Sequence, residues 1–206
     1  MLCSQGVIVL VGILSSCLVS LRSSFATEPT LSVGQRAPAF TCLDSDGKRW
    51  NSQDLIGKQR LVVYFYPGDF NFCSTRQAVH YQERLRELAK ADVTVVGISG
   101  DQVATHRLFK AANQLKFVLL ADEQGEVARK FGVPLRAGGK TVIKDAQGQE
   151  VRDARGCVVR LDREVTAARW TFVIDKDGLI ASIEKSASPR HDSQQVLNTA
   201  VQLAGR

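Results

Sequence analysis

The sequence has no C-x-x-C pair, no Cys/His cluster at zinc-ligand spacing, and no Lys/Arg block long enough to grip a nucleic acid. The first absence argues against the dithiol chemistry of disulfide exchangers and of C-x-x-x-C-type copper chaperones. The second excludes a structural zinc, and the third a polyanion-binding patch. No internal repeat is present. Cysteine itself is sparse: Cys3, Cys17, Cys42, Cys73 and Cys157 in 206 residues. Two of these lie in the first 20 residues, and the remaining three are an odd number, too few for a disulfide scaffold. At least one thiol is therefore left for chemistry or transient pairing. With 44% hydrophobic and 23% charged residues the composition is that of a globular domain, and it excludes global disorder. The net charge of +6 reads as a solvated basic surface.

Charge is also missing from the start of the chain. Residues 1–21 carry no charged side chain, and an apolar run covers Gly6 to Leu14. That run is shorter than the ~20 residues a membrane span needs. Ser24-Phe25-Ala26 then offers small residues where a signal peptidase cuts, so residues 1–26 are expected to be a signal peptide or membrane anchor and 27–206 the domain. Leu14-Ser15-Ser16-Cys17 resembles a lipobox, which would tether the protein through Cys17. Both readings place the protein outside the cytoplasm, in a periplasm or cell envelope.

Hydrophobic periodicity predicts an alternating α/β chain. Strand and turn occupy Phe40 to Trp50, and Leu61 to Tyr66 is a continuous apolar run fit for a strand buried on both faces. Ala78, Tyr81, Leu85 and Leu88 form one stripe of a helix over Ser74 to Ala91. Val93 to Ser99 is a second buried strand, and Asp101 is read as the cap of a helix with Ala104, Leu108 and Ala111 inward. A strand at Phe117 to Leu120 and a short helix ending at Gly132 follow. Residues 135–168 are rich in Gly and charge and read as an inserted β-ribbon, with strands at Thr141–Ile143 and Cys157–Val159. A hairpin over Trp170 to Ile183 and a helix over Ser193 to Ala204 close the chain. Alternating units imply a central mixed sheet with helices on both faces.

Several segments carry a more specific signal. Val33-Gly34-Gln35-Arg36-Ala37-Pro38-Ala39-Phe40, Tyr64-Phe65-Tyr66-Pro67, Val96-Gly97-Ile98-Ser99, Leu119-Leu120-Ala121-Asp122, Phe131-Gly132-Val133 and Arg169-Trp170-Thr171-Phe172-Val173-Ile174-Asp175 occur in order. Together they resemble the peroxiredoxins, most of all the Q or bacterioferritin-comigratory type. The resemblance implies a thioredoxin-like fold and a thiol peroxidase that passes through a cysteine sulfenic acid. By the same resemblance, Cys73 meets the peroxide, Arg169 is the electrostatic helper, Pro67 forms the loop and Asn71 is a polar contact. No metal or organic cofactor is implied. The partners implied are a peroxide and a reductant, either a thioredoxin-like protein or a small thiol; nucleic acid is not expected, and the state is monomer or homodimer.

One departure leaves two registers open. The family places its cysteine seven residues after the proline, whereas Cys73 is six after Pro67. Either the loop is one residue shorter and Cys73 fills the pocket, which is the preferred reading, or Ser74 stands in the cysteine's place. Ser74 also fits a capping box with Gln77, which would leave Cys73 just outside the helix. The alternative function is then a catalytically degenerate binding or redox-sensing module. The resolving position of Q-type relatives holds Ala78 or Val79 here, so Cys157 in the ribbon is the candidate resolving thiol. His80, His106 and His191 are isolated and read as surface or packing residues.

Overall fold

The computed structural model describes residues 31–144, 148–152 and 155–205; the leader expected over 1–26, with Cys3 and Cys17, lies outside them. In chain order the elements are β1 (Thr41–Asp44), β2 (Arg49–Asn51), β3 (Arg60–Phe65), α1 (Phe72–Lys90), β4 (Val93–Ser99), α2 (Val103–Asn113), β5 (Val118–Ala121) and α3 (Glu126–Lys130). The ribbon follows as β6 (Leu135–Ala137), β7 (Lys140–Val142), β8 (Arg160–Asp162) and β9 (Val165–Ala167), then β10 (Trp170–Ile174), β11 (Ile180–Lys185) and α4 (Asp192–Ala204).

Seven strands form one sheet in the order β11-β10-β3-β4-β5-β1-β2. β3, β4 and β5 are parallel, joined by helical crossovers, while β10 runs antiparallel to β3 and β1 antiparallel to β5. This is the mixed α/β sheet of the thioredoxin-like fold. The period-2 pleat divides β3 between two cores. Leu61, Val63 and Phe65 join Ile98, Phe131 and Phe172 on the face that carries α3. Val62, Tyr64 and Tyr66 join Ala78, Tyr81, Leu88, Phe109 and Val196 on the face of α1, α2 and α4. Every residue of β3 is buried, as its unbroken apolar run predicts. Tyr64 stacks on Tyr66 and Tyr81 with ring centroids 5.3 and 4.7 Å away. That stack requires Gly97 on the next strand, where a Cβ would lie 2.6 Å from the Tyr64 hydroxyl.

Three expectations need correction. In α2 the inward residues are Thr105, His106 and Phe109, while Leu108 is 54% exposed. His106 lies inside because its ring is fully hydrogen-bonded there, so a polar anchor overrides the Ala/Leu stripe. Asp101 does not cap α2; Gln102 holds that position without a side-chain bond, and Asp101 turns to other donors described below. The second ribbon strand is Arg160–Asp162, three residues beyond the apolar Cys157–Val159. Trp170 is half-buried and carries the Lys185 ammonium over its ring at 4.6 Å.

Candidate active site

The carboxyl ends of β3 and β4 and the start of α1 meet at one edge of the sheet, where open α/β folds bind their ligands. Residues Pro67 to Asn71 form the loop that enters α1. Within it Phe70 has φ 57° and packs edge-on against Phe109 at 5.2 Å. Asn71, not Ser74, is the N-cap: its Oδ1 accepts the N–H of Cys73 at 3.0 Å and of Ser74 at 3.4 Å. The helix therefore starts at Phe72, three residues earlier than the capping-box reading, and Cys73 lies in its first turn.

That start sets which side chains face inward. With Asn71 as cap, Ser74 projects inward and is 1% exposed, while Cys73 is exposed. The Arg169 guanidinium comes from β9–β10 and donates to Ser74 Oγ at 3.4 Å and to Gln77 Oε1. Ser74 thus lies buried against Arg169, and the exposed Cys73 precedes it in the first turn of the helix. Burial lowers the Arg169 pKa from its ordinary range; the neighbouring Cys73 and Asp192 oppose that shift. Cys73 and Arg169 are therefore within electrostatic reach of each other.

Two buried carboxylates back this arrangement, and the sequence reading singled out neither. Asp192, at the start of α4, accepts at Oδ2 from Gln77 Nε2 (2.6 Å), Tyr81 (2.8 Å) and Thr171 (2.9 Å). The Gln77 amide is thereby oriented with its nitrogen to Asp192 and its oxygen to Arg169. Burial raises the Asp192 pKa, opposed by those three hydrogen bonds and by Arg169. Asp69, in the loop, accepts from the Tyr66 hydroxyl at 2.8 Å and faces His106 Nδ1 at 2.8 Å. The other ring nitrogen, Nε2, lies 3.1 Å from the Leu120 carbonyl, which can only accept. Both nitrogens thus face acceptors, an arrangement that favours the imidazolium of His106. In agreement, burial lowers the His106 pKa but Asp69 and then Asp101 outweigh it, leaving the net shift upward.

The remaining thiols lie apart from this cluster. Cys42 on β1 donates to the Ala121 carbonyl at 2.9 Å, and burial, aided by Asp122, pushes its pKa up to about 12. Cys157 is exposed in the ribbon. Pro67 offers its carbonyl to Arg163 of the ribbon at 2.8 Å. Among the described residues no group of three His, Cys, Asp or Glu side chains could hold a metal ion.

Residues 33–183 match the family model described as the AhpC/TSA family. A Coxiella burnetii protein, bcp, named as a peroxiredoxin, is 32% identical over 154 residues, 75% of this chain and 88% of its own. The rice chloroplastic peroxiredoxin Q is 37% identical over 153 residues, 74% of this chain, and the chain spans 58% of that protein's length. Among solved structures, the Mycobacterium tuberculosis peroxidoxin BcpB aligns with a TM-score of 0.67 and 26% identity, covering 84% of this chain and 98% of that one. The thioredoxin-like mixed sheet agrees with that match, and the chain belongs to the AhpC/TSA family, the thiol-dependent peroxidases called peroxiredoxins.

Proposed function

We propose that this chain reduces hydrogen peroxide or organic hydroperoxides with Cys73 as the attacking sulfur. The observation that carries the reading is an exposed thiol in the first turn of α1, adjacent in sequence to the buried Ser74 that Arg169 contacts. A helix N-terminus carries about half a positive charge, which favours a thiolate. The thiolate attacks one peroxide oxygen; the S–O bond forms as the O–O bond breaks. The other oxygen leaves with a proton as alcohol or water, and the sulfur is left as a sulfenic acid. The Arg169 guanidinium and the Ser74 hydroxyl are donors for the oxygen that gathers charge.

Two thiol equivalents complete the cycle. The first displaces water from the sulfenic acid and leaves a disulfide; the second releases the Cys73 thiolate. The reductant is a thioredoxin-like protein or a small thiol, with Cys157 as the candidate internal resolving thiol. Residues 1–26 fit an export segment cleaved after Ala26, or a tether through Cys17, so the work is done in a periplasm or cell envelope, by a monomer or homodimer. The measurement that tests the reading is stopped-flow loss of thiol on mixing the reduced chain with stoichiometric hydrogen peroxide, in wild type and Cys73→Ser. Fast loss abolished by the substitution supports it. Loss no faster than a free thiol in solution overturns it. The burial of Ser74 in the pocket favours a second reading, a thioredoxin-fold module that senses or binds without turnover, and that same slow result would select it.

A further inference from the structure

The inserted ribbon reaches the reactive loop through one side chain. Arg163, between β8 and β9, is 6% exposed, and its guanidinium fork engages three segments at once. Nη1 donates to the Pro67 carbonyl at 2.8 Å, Nε to Asp101 Oδ1 at 3.0 Å, and Nη2 to Thr141 Oγ1 at 2.6 Å. The other Asp101 oxygen accepts the Asp69 N–H at 2.7 Å and the Ser99 hydroxyl at 2.8 Å. The guanidinium lies directly on Gly68, where a Cβ would sit 1.9 Å from Nη1, and Gly68 also has φ 154°. The loop residue after Pro67 is thus bare where the ribbon's arginine covers it.

A buried cation is costly unless paired and fully hydrogen-bonded, and here the pairing is spent on the loop that leads into α1. We propose that Arg163 is a positioning residue of the peroxidase site: from the insertion, it fixes Pro67–Asn71 so that Asn71 caps α1 and Cys73 is presented beside Ser74 and Arg169. The proposal rests on Cys73 being the attacking sulfur. Its chemistry demands a planar fork with divergent N–H groups. A lysine keeps the charge beside Asp101 but cannot reach Pro67, Asp101 and Thr141 together in that geometry.

The test uses the full chain with Arg163→Lys and, separately, Gly68→Ala, whose methyl group displaces the guanidinium. Three quantities are read: the rate of Cys73 oxidation by hydrogen peroxide, the rate of its alkylation by iodoacetamide, each on the Cys73 peptide by mass spectrometry, and hydrogen exchange at the Asp69 amide. Misplacement of a reacting group by about 1 Å costs up to about a hundredfold. Arg163→Lys is therefore expected to slow oxidation about tenfold or more while alkylation stays within about twofold. The Asp69 amide is expected to exchange faster at unchanged urea midpoint, and Gly68→Ala to add little on the Arg163→Lys background. An unchanged ratio of oxidation to alkylation in Arg163→Lys overturns the proposal. So does a parallel fall of both rates with the urea midpoint, which marks a merely structural arginine. If the wild type oxidises no faster than a free thiol, the Cys73 reading fails, and the exchange at Asp69 alone decides whether Arg163 holds the loop.

Discussion

Exchanging the two neighbours at the start of α1 moves the thiol into the pocket. In the double variant Cys73→Ser, Ser74→Cys, the sulfur takes the place of an Oγ that is 3.4 Å from Arg169 Nη2 and whose residue is 1% exposed. A thiolate there faces a guanidinium at an attraction of about 4 kcal/mol for an effective dielectric near 20. The first-turn dipole adds about 1 kcal/mol, and desolvating the anion takes back several. A net gain of about 1–2 kcal/mol remains, roughly five- to thirtyfold in reactivity. The exposed serine left at position 73 changes stability by about 0.5 kcal/mol or less. Stopped-flow oxidation by hydrogen peroxide, on a background lacking Cys42 and Cys157, measures the effect. Oxidation of the swapped thiol slower than that of Cys73 would refute the reasoning, because it would mean that the site against Arg169 is not where the transition-state charge is held.

Three further outcomes follow from the buried polar groups. The His106 pKa is raised, so its pairing with Asp69 stabilises fully below about pH 6.5 and is lost as pH rises through the higher folded value. Urea midpoints should therefore fall on going from pH 6 toward the alkaline side in wild type, and His106→Asn should flatten that slope; a slope unchanged in the variant contradicts the imidazolium. Asp192→Ala strands Gln77, Tyr81 and Thr171 in the interior and should cost about 3 kcal/mol by urea denaturation, with Asp192→Asn costing less because a side-chain oxygen remains. Cys42, with its thiol held near pKa 12, should be alkylated by iodoacetamide at pH 8 far more slowly than exposed Cys73, read peptide by peptide.

The sheet was legible because its signals are apolar and local. The run Leu61–Tyr66 names the central strand, and the Ala78/Tyr81/Leu85/Leu88 stripe names the buried face of α1. The segment 135–168 stood out as a change of composition, and the structure forms two small antiparallel pairs there, β6 with β9 and β7 with β8. α2 was misread for the converse reason. Its inward face is built around a histidine and a threonine, and no hydropathy pattern distinguishes a buried, fully bonded His106 from a surface one.

The site divides the same way. Cys73, Asn71, Arg169 and the rival Ser74 could be named in advance, because a resemblance carries spacing. Which of Cys73 and Ser74 faces inward could not, because it depends on where α1 begins, and two caps competed for that role. Asn71 prevails because its side chain takes both N–H groups, at Cys73 and Ser74, whereas Ser74 as cap would have had to leave the Arg169 contact. Once the helix starts at Phe72, the register of everything after it is set: Gln77 falls between Asp192 and Arg169, and the thiol falls outward. Asp69, Asp101, Arg163 and Asp192 lie up to 123 positions apart in the chain and meet only through the fold. Their partners are tertiary, so no window of sequence contains the evidence for them. A reactive loop held from behind by two buried carboxylates, one imidazolium and an arginine from an insertion depends on the rest of the domain for its shape. Cys73 is thus a thiol whose surroundings are fixed on the inner side and exposed on the other.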